Sequence, residues 1–92
     1  MADSIKDLMR DIDRFTQERD WDQFHNPKDL AIALSIEASE LLEAFLWKKP
    51  EEANPDKIKE ELADVINYAL QLASKCGLDV DEIVRAKMLK NA

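Results

Sequence analysis

The placement of glycine and proline constrains the fold of this chain more than any other sequence feature. The 92 residues contain one glycine, Gly77, and three prolines, Pro27, Pro50 and Pro55. Because both residue types disfavour helix and strand interiors, these positions mark segment boundaries. Between them, apolar residues recur at three- and four-residue spacing with little β-branched alternation, which predicts helices.

Four helices are predicted from these boundaries. They span residues 4–19, residues 27 to 47 or 48, residues 55–75, and a short segment after residue 79. The first three follow polar residues that can act as N-caps, namely Ser4, Asn26 and Asn54. Asp7 occupies the capping-box position of the first helix, and Gly77 is a natural stop for the third. Residues 20–27 are predicted to form an irregular loop, and residues 49–55 a linker.

The apolar positions predict an all-α, four-helix bundle-like fold in a single domain over residues 1–92. Those expected to face inward are Ile5, Leu8, Met9, Ile12 and Phe15 on the first helix, and Ile83, Val84 and Met88 on the fourth. The second helix is apolar over most of its circumference, so it is either central or packed against another subunit. Since one chain has too few helices to cover it, we expect a homo-oligomer.

Charge and composition exclude several classes of protein. The formal net charge of -7 disfavours binding to nucleic acid or to an anionic membrane. No apolar run approaches the roughly 18 residues that cross a bilayer, and residues 1–4 do not resemble the start of a signal peptide. A lone cysteine, Cys76, cannot form an internal disulfide and fits a reducing compartment. We therefore expect a cytoplasmic protein.

Two pairs of carboxylates lie beside the apolar faces of the long helices. Glu37 and Glu40 are three residues apart on the second helix, and Glu61 and Asp64 have the same spacing on the third. At 4 Å and an effective dielectric near 20, one like-charge pair costs about 4 kcal/mol. Facing carboxylates therefore take up protons or bind cations. Glutamates at this spacing are also frequent on solvated helices, so spacing alone leaves both interpretations open.

The types of side chain in this set restrict which cation it could bind. Oxygen ligands without His or Cys favour hard ions, Mg²⁺ or Mn²⁺. A ferritin-like di-iron centre would require Glu-x-x-His on helices. The only histidine, His25, lies in the predicted loop, which argues against that site.

The carboxylate pattern and the sequence segments next to it resemble a known protein family. Glu37-Ala-Ser-Glu40 with Glu61-Leu-Ala-Asp64 resembles the E-x-x-E…E-x-x-D signature of the MazG-like all-α nucleotide pyrophosphohydrolases. The segments 19–27, 40–48 and 60–68 resemble the dCTP pyrophosphatase type of that superfamily, and the likeness runs from about residue 19 to residue 91. It implies dimers or, as we favour, tetramers built as dimers of dimers. It also implies cleavage of nucleoside triphosphates to monophosphate and pyrophosphate.

Carried over to this chain, the resemblance assigns roles to named residues. Glu37, Glu40, Glu61 and Asp64 would be the catalytic Mg²⁺ ligands, with Glu40 our candidate for the base that deprotonates water. The implied substrate-binding residues are Trp21, His25, Trp47, Tyr68, Lys87 and Asn91. Family members usually continue with a basic tail, whereas this sequence stops at Ala92. The contribution of such a tail to phosphate binding is therefore in question.

The leading hypothesis is a Mg²⁺-dependent hydrolase of deoxynucleoside triphosphates that cleans the nucleotide pool. The expected substrate is dCTP or a modified relative, with dATP and dUTP as further possibilities. The main alternative is a non-catalytic helical oligomerisation module whose acidic residues only solubilise it. Another is a carboxylate metal-binding protein without hydrolase activity.

Overall fold

Four α-helices form the computed structural model, which describes residues 4–92 apart from the side chain of Phe24. They are α1 (Ile5–Glu18), α2 (Pro27–Glu43), α3 (Pro55–Lys75) and α4 (Val80–Asn91). No strand occurs within residues 4–92. The predicted all-α fold with four helices is therefore confirmed. Residues 1–3, which entered the argument about a signal peptide, lie outside the described residues.

The helix boundaries follow from capping chemistry. At each N-cap a side-chain oxygen accepts a hydrogen bond from a first-turn backbone N–H at 2.8–3.0 Å. The N-caps are Ser4, Asn26, Asn54 and Asp79. After α3, Gly77 adopts a left-handed φ of +67°. The Leu78 N–H donates to the Ala73 carbonyl at 2.9 Å, which completes a Schellman motif.

Helix α2 ends earlier than predicted. Its last residue is Glu43, rather than residue 47 or 48. The backbone then tightens into i to i-3 hydrogen bonds, such as the 2.9 Å bond from Phe45 N–H to the Leu42 carbonyl. At Trp47 the φ angle becomes +62°, a conformation that no α-helix contains. The predicted loop also differs in part, because residues Asp22–Phe24 form a single 3-10 turn.

Helices α2 and α3 make the most extensive contact in the chain, α1 packs on α3, and α4 contacts α1. The buried apolar residues within 4–92 are few and mostly small: Leu30, Ala44, Ala53, Leu70 and Ala73. Since larger apolar side chains are only partly covered, one chain does not bury all its apolar surface.

Several residues predicted to face inward are exposed in this chain. Ile5, Leu8 and Phe15 on α1 retain 44–47% of their accessible surface. The prediction was also wrong within one chain for Ile83, Val84 and Met88, which are 41%, 50% and 64% exposed. The physical reason is that α4 packs mainly against α1, so most of its surface is left uncovered. Among the described residues, no helix is long and apolar enough to cross a membrane.

Candidate functional site: a carboxylate cluster beside an aromatic cavity

One face of α3 carries the polar residues that build the site. Glu61, Asp64, Tyr68 and Gln71 follow one another at spacings of three, four and three residues, which aligns them along the helix. The first two meet a carboxylate of α2. Further along the same face, Tyr68 and Gln71 line a cavity together with residues of α1. The helix therefore joins an acidic cluster to an aromatic cavity.

The acidic cluster combines carboxylates from two helices. One oxygen from each of Glu37, Glu61 and Asp64 lies within 4.8 Å of the others. Glu61 is only 7% exposed, Glu37 is partly buried and Asp64 is exposed. Glu40 lies outside this group of three but is close enough to Glu37 to contribute to its raised pKa. Of the four carboxylates that were predicted to lie together, three form this group and Glu40 lies outside it.

Burial and like charge destabilise the ionised form of Glu37. The pKa of its carboxyl is raised above the ordinary value of 4.5, first by desolvation and then by the hydrogen bond with Glu40. Repulsion from Glu40, Asp64 and Glu61 raises this pKa further. A cation among these groups would reverse the effect, because it favours the ionised form.

Two buried carboxylate oxygens in the cluster have no hydrogen-bond partner among the described residues. They are Oε2 of Glu37 and Oε2 of Glu61. Buried polar atoms are nearly always paired, so two unpartnered carboxylate oxygens in a cluster built from two helices fit a cation site. The other oxygen of Glu61, Oε1, is 2.8 Å from Lys57 Nζ. This hydrogen bond is the main cause that raises the pKa of Lys57.

An open cavity of about 400 Å³ lies further along α3, where its lining begins at Asn67, three residues beyond Asp64. Its lining residues come from α1, from the connection before α2 and from α3: Asp11, Ile12, Phe15, Thr16, Trp21, His25, Asn67, Tyr68 and Gln71. The rings of Phe15 and Trp21 pack edge-to-face with centroids 5.7 Å apart. The Arg19 guanidinium lies 3.5 Å above the Phe15 ring, so it braces this wall through a cation–π contact. A flat apolar ring with polar edges would fit such a cavity.

An ion pair anchors the connection that supplies Trp21 and His25. Lys75 Nζ, near the end of α3, is 2.6 Å from Asp22 Oδ1. The backbone N–H of Trp21 also donates to the Thr16 carbonyl at 2.9 Å. These contacts hold the connection against α1 and α3, so both rings keep their places in the cavity wall.

The structure brings together only some of the predicted substrate-binding residues. Trp21, His25 and Tyr68 line the same cavity. Trp47 is fully exposed (100%) beyond the end of α2, and it is not part of the cavity wall. Lys87 and Asn91 lie on the exposed side of α4 and do not line that cavity either. Within one chain, therefore, these last three residues are separated from the other predicted contacts.

Five polar residues of the site were missed from the sequence, namely Asp11, Thr16, Lys57, Asn67 and Gln71. Asn67 and Gln71 lie three and seven residues beyond Asp64, which is the spacing of one helix face, and this signal could have found them. Lys57 precedes Glu61 by four residues and was also identifiable as an ion-pair partner. A larger cavity, of about 630 Å³, lies elsewhere, between the starts of α1 and α4.

The chain is similar in sequence to known proteins. A family model described as MazG-like matches residues 32–92. The dCTP pyrophosphatase 1 of Bos taurus is 38% identical to this chain, over 96% of this chain and 57% of the relative. The dCTP pyrophosphatase 1 of Homo sapiens is 39% identical over 92% of this chain and 55% of the relative. The chain thus spans little more than half the length of these curated relatives.

A solved structure is similar along nearly the whole fold. A pyrophosphatase from Archaeoglobus fulgidus superposes with a TM-score of 0.86 and 35% sequence identity. The match covers 94% of this chain and 86% of the other. The predicted resemblance is therefore confirmed in both sequence and fold.

Proposed function

Because this chain belongs to the MazG-like family, we propose that it hydrolyses nucleoside triphosphates to the monophosphate and pyrophosphate. The observation that carries the proposal is the pair of buried, unpartnered oxygens on Glu37 and Glu61, next to an aromatic cavity on the same face of α3. The cluster suits the cation that a triphosphate requires, and the cavity suits a base. The names of the relatives, two dCTP pyrophosphatases and a pyrophosphatase, support the same reaction.

Mg²⁺ is the proposed metal, with Mn²⁺ as a substitute. Its ligands would be Glu37, Glu61 and Asp64, whose oxygens already converge, with Glu40 completing the set. When bound, Mg²⁺ supplies the positive charge that neutralises the triphosphate and stabilises the leaving pyrophosphate. Glu40 is the proposed base, because a carboxylate outside the tightest group can hold the attacking water and accept its proton.

The aromatic cavity is the proposed base-binding site. Trp21 and Tyr68 offer rings for stacking and His25 a polar edge. On α3, Gln71 lies seven residues beyond Asp64, which is roughly 10 Å along the helix axis. A deoxyribose would bridge that interval and leave the phosphates beside the carboxylates. The proposed substrate is dCTP or a modified relative, and the proposed role is removal of unwanted nucleotides from the pool.

We further propose that the active form is a homo-oligomer. Every exposed residue of α2 between positions 31 and 42 is uncharged: Ala31, Ile32, Ser35, Ile36, Ala38, Ser39 and Leu42. A chain with 36% charged residues has little reason to present such a surface to water. A dimer, or a tetramer formed as a dimer of dimers, would cover it. Trp47, Lys87 and Asn91 remain proposed substrate contacts that such an assembly would have to bring to the cavity.

Product analysis tests the reaction directly. The chain is incubated with each of the four common dNTPs and dUTP in the presence of Mg²⁺, and the products are resolved by anion-exchange chromatography. We expect monophosphate and pyrophosphate, with no diphosphate. A folded protein that turns over no nucleotide would support the alternative of a helical oligomerisation module. Mg²⁺ binding without turnover would instead favour a metal-binding protein.

A further inference from the structure

A buried amide lies in the wall of the aromatic cavity with most of its hydrogen-bonding capacity unused. Gln71 is 6% exposed and lines the cavity together with Asn67 and Tyr68. Its Oε1 is buried, and no donor among the described residues reaches it. Since an unpaired buried amide oxygen is costly, this atom requires a donor that the described part of the chain does not supply.

Asn67 fixes the orientation of this amide. The Nε2 group of Gln71 donates to Oδ1 of Asn67 at 3.3 Å, one helical turn earlier on α3. With one N–H used in this way, Gln71 retains one acceptor, Oε1, and a second N–H beside it. The nearby Thr16 hydroxyl already donates to the Asp13 carbonyl at 2.9 Å, so it offers no proton to Oε1.

We propose that Gln71, held in place by Asn67, is the residue that selects the base, and that it favours bases carrying an exocyclic amino group next to a ring-nitrogen acceptor. This inference rests on the proposed function and deepens it. Cytosine and adenine present that arrangement, an amino donor beside a ring nitrogen that accepts. The free oxygen and the second N–H of Gln71 match both positions, as a glutamine does when it reads an adenine edge.

Uracil carries the opposite hydrogen-bonding groups at this edge, an acceptor in place of the amino donor and a donor in place of the ring-nitrogen acceptor. Its O4 is an acceptor that would face the Gln71 oxygen, and its N3–H is a donor that would face the amide N–H. A site that hydrogen-bonds one base edge rejects a base with the wrong pattern, because buried polar groups are then left unpaired. Stacking on Trp21 or Tyr68 cannot make this distinction, since every base offers a flat face.

The experiment compares kcat/KM for dCTP and dUTP, two substrates that differ only at this edge of the base. We expect the wild-type chain to prefer dCTP by about tenfold or more, the scale of one good hydrogen-bonded pair. Gln71→Met keeps the side-chain length but removes the amide, and it should lower this ratio to near one. Gln17→Leu on the exposed surface of α1 is the matched control and should leave the ratio unchanged.

A second variant tests the amide orientation without altering Gln71. Asn67→Asp offers only acceptors, so Gln71 must still donate through Nε2 and keep Oε1 free. We expect the preference for dCTP to persist even where the added charge slows turnover. If Gln71→Met fails to fold by circular dichroism, this variant decides the question. A ratio that reverses in Asn67→Asp, or one that Gln71→Met leaves unchanged, would overturn the proposal.

Binding of the products separates this inference from the proposed reaction. Calorimetric titration with dCMP and dUMP requires neither turnover nor metal. Tighter binding of dCMP by wild type but not by Gln71→Met would support base selection even in a chain that hydrolyses no nucleotide. Equal affinities for dCMP and dUMP in wild type would overturn the selection, while product formation from any dNTP would leave the proposed reaction intact.

Discussion

Lys57 Nζ lies 2.8 Å from Glu61 Oε1, one helical turn away on α3. Glu61 is buried while Lys57 is about half exposed, so the ammonium group reaches from the surface to the acidic cluster. It pairs with one oxygen of Glu61, and the other, Oε2, has no hydrogen-bond partner among the described residues. This arrangement pairs one oxygen of a buried carboxylate with a lysine and leaves the other available to a cation.

Replacement of Lys57 should therefore lower the stability of the chain and raise its affinity for metal. Lys57→Met is expected to lower the free energy of unfolding of the metal-free chain slightly, because an ion pair with an exposed lysine contributes little to stability. Because the variant removes a positive charge beside the site, it should also bind Mn²⁺ more tightly. Thermal melts in chelator and Mn²⁺ titration by electron paramagnetic resonance measure the two effects. The exposed neighbour Lys59→Met should change neither, and equal effects from both lysines would contradict the arrangement.

Glu61→Gln should abolish turnover and weaken Mg²⁺ binding while the helices survive. The substitution preserves the shape of the side chain but removes the charge that a divalent cation requires. Glu60→Gln, at the adjacent exposed position, is the control for net charge and should retain activity. Turnover is measured as pyrophosphate release, and helix content by circular dichroism. Persistent activity in Glu61→Gln would show that the proposed metal ligands are wrong.

The raised pKa of Glu37 predicts a specific dependence of stability on pH. Between the ordinary pKa of 4.5 and the raised value, the folded metal-free chain holds a proton that the unfolded chain releases. The contribution of Glu37 to the free energy of unfolding therefore falls as the pH rises from 4.5 to the raised pKa. Glu37→Gln should remove this part of the pH dependence in melts with chelator, whereas the exposed Glu43→Gln should not. Metal affinity should change in the opposite sense and increase with pH, because the ligand binds metal when deprotonated.

Loss of the ion pair between Asp22 and Lys75 should weaken substrate binding more than chemistry. Asp22→Asn removes the charge that ties the Trp21 and His25 connection to α3, so we expect KM for the dNTP to rise several-fold with little change in kcat. Asp20→Asn is the control, since Asp20 is exposed and asparagine tolerates its left-handed φ of +57°. A rise in KM of the same size in both variants would contradict a specific role for the ion pair.

A lysine on the uncharged face of α2 should disrupt the proposed assembly. Ala38 is exposed near the middle of that face, so Ala38→Lys costs the isolated chain little but would bury a charge between two copies. Sedimentation velocity should show a smaller species than wild type. Gln17→Lys on α1 adds the same charge and should leave the assembly intact. A wild-type chain that sediments as a monomer would remove the basis for the proposed oligomer.

The sequence alone determined the elements of this fold and most of its proposed chemistry. Local rules decided the helices, because Ser4, Asn26 and Asn54 cap the turns that follow them and Gly77 ends α3. The spacing of the carboxylates and the family resemblance identified the acidic cluster before any coordinates. Such features depend on residues within one or two helical turns, or on a pattern that a whole family shares.

Tertiary structure decided which side chains meet. It placed Gln71 and Trp21 in the wall of one cavity. It left one oxygen of Glu61 without a partner among the described residues. It also ended α2 at Glu43, which separates Trp47 from the cavity. Periodicity assigned inward faces to α1 and α4, yet those faces stay partly exposed because one chain offers too little surface to cover them. Helical spacing fixes which side of a helix a residue occupies. What lies against that side depends on how the helices pack, and the sequence pattern does not contain that information.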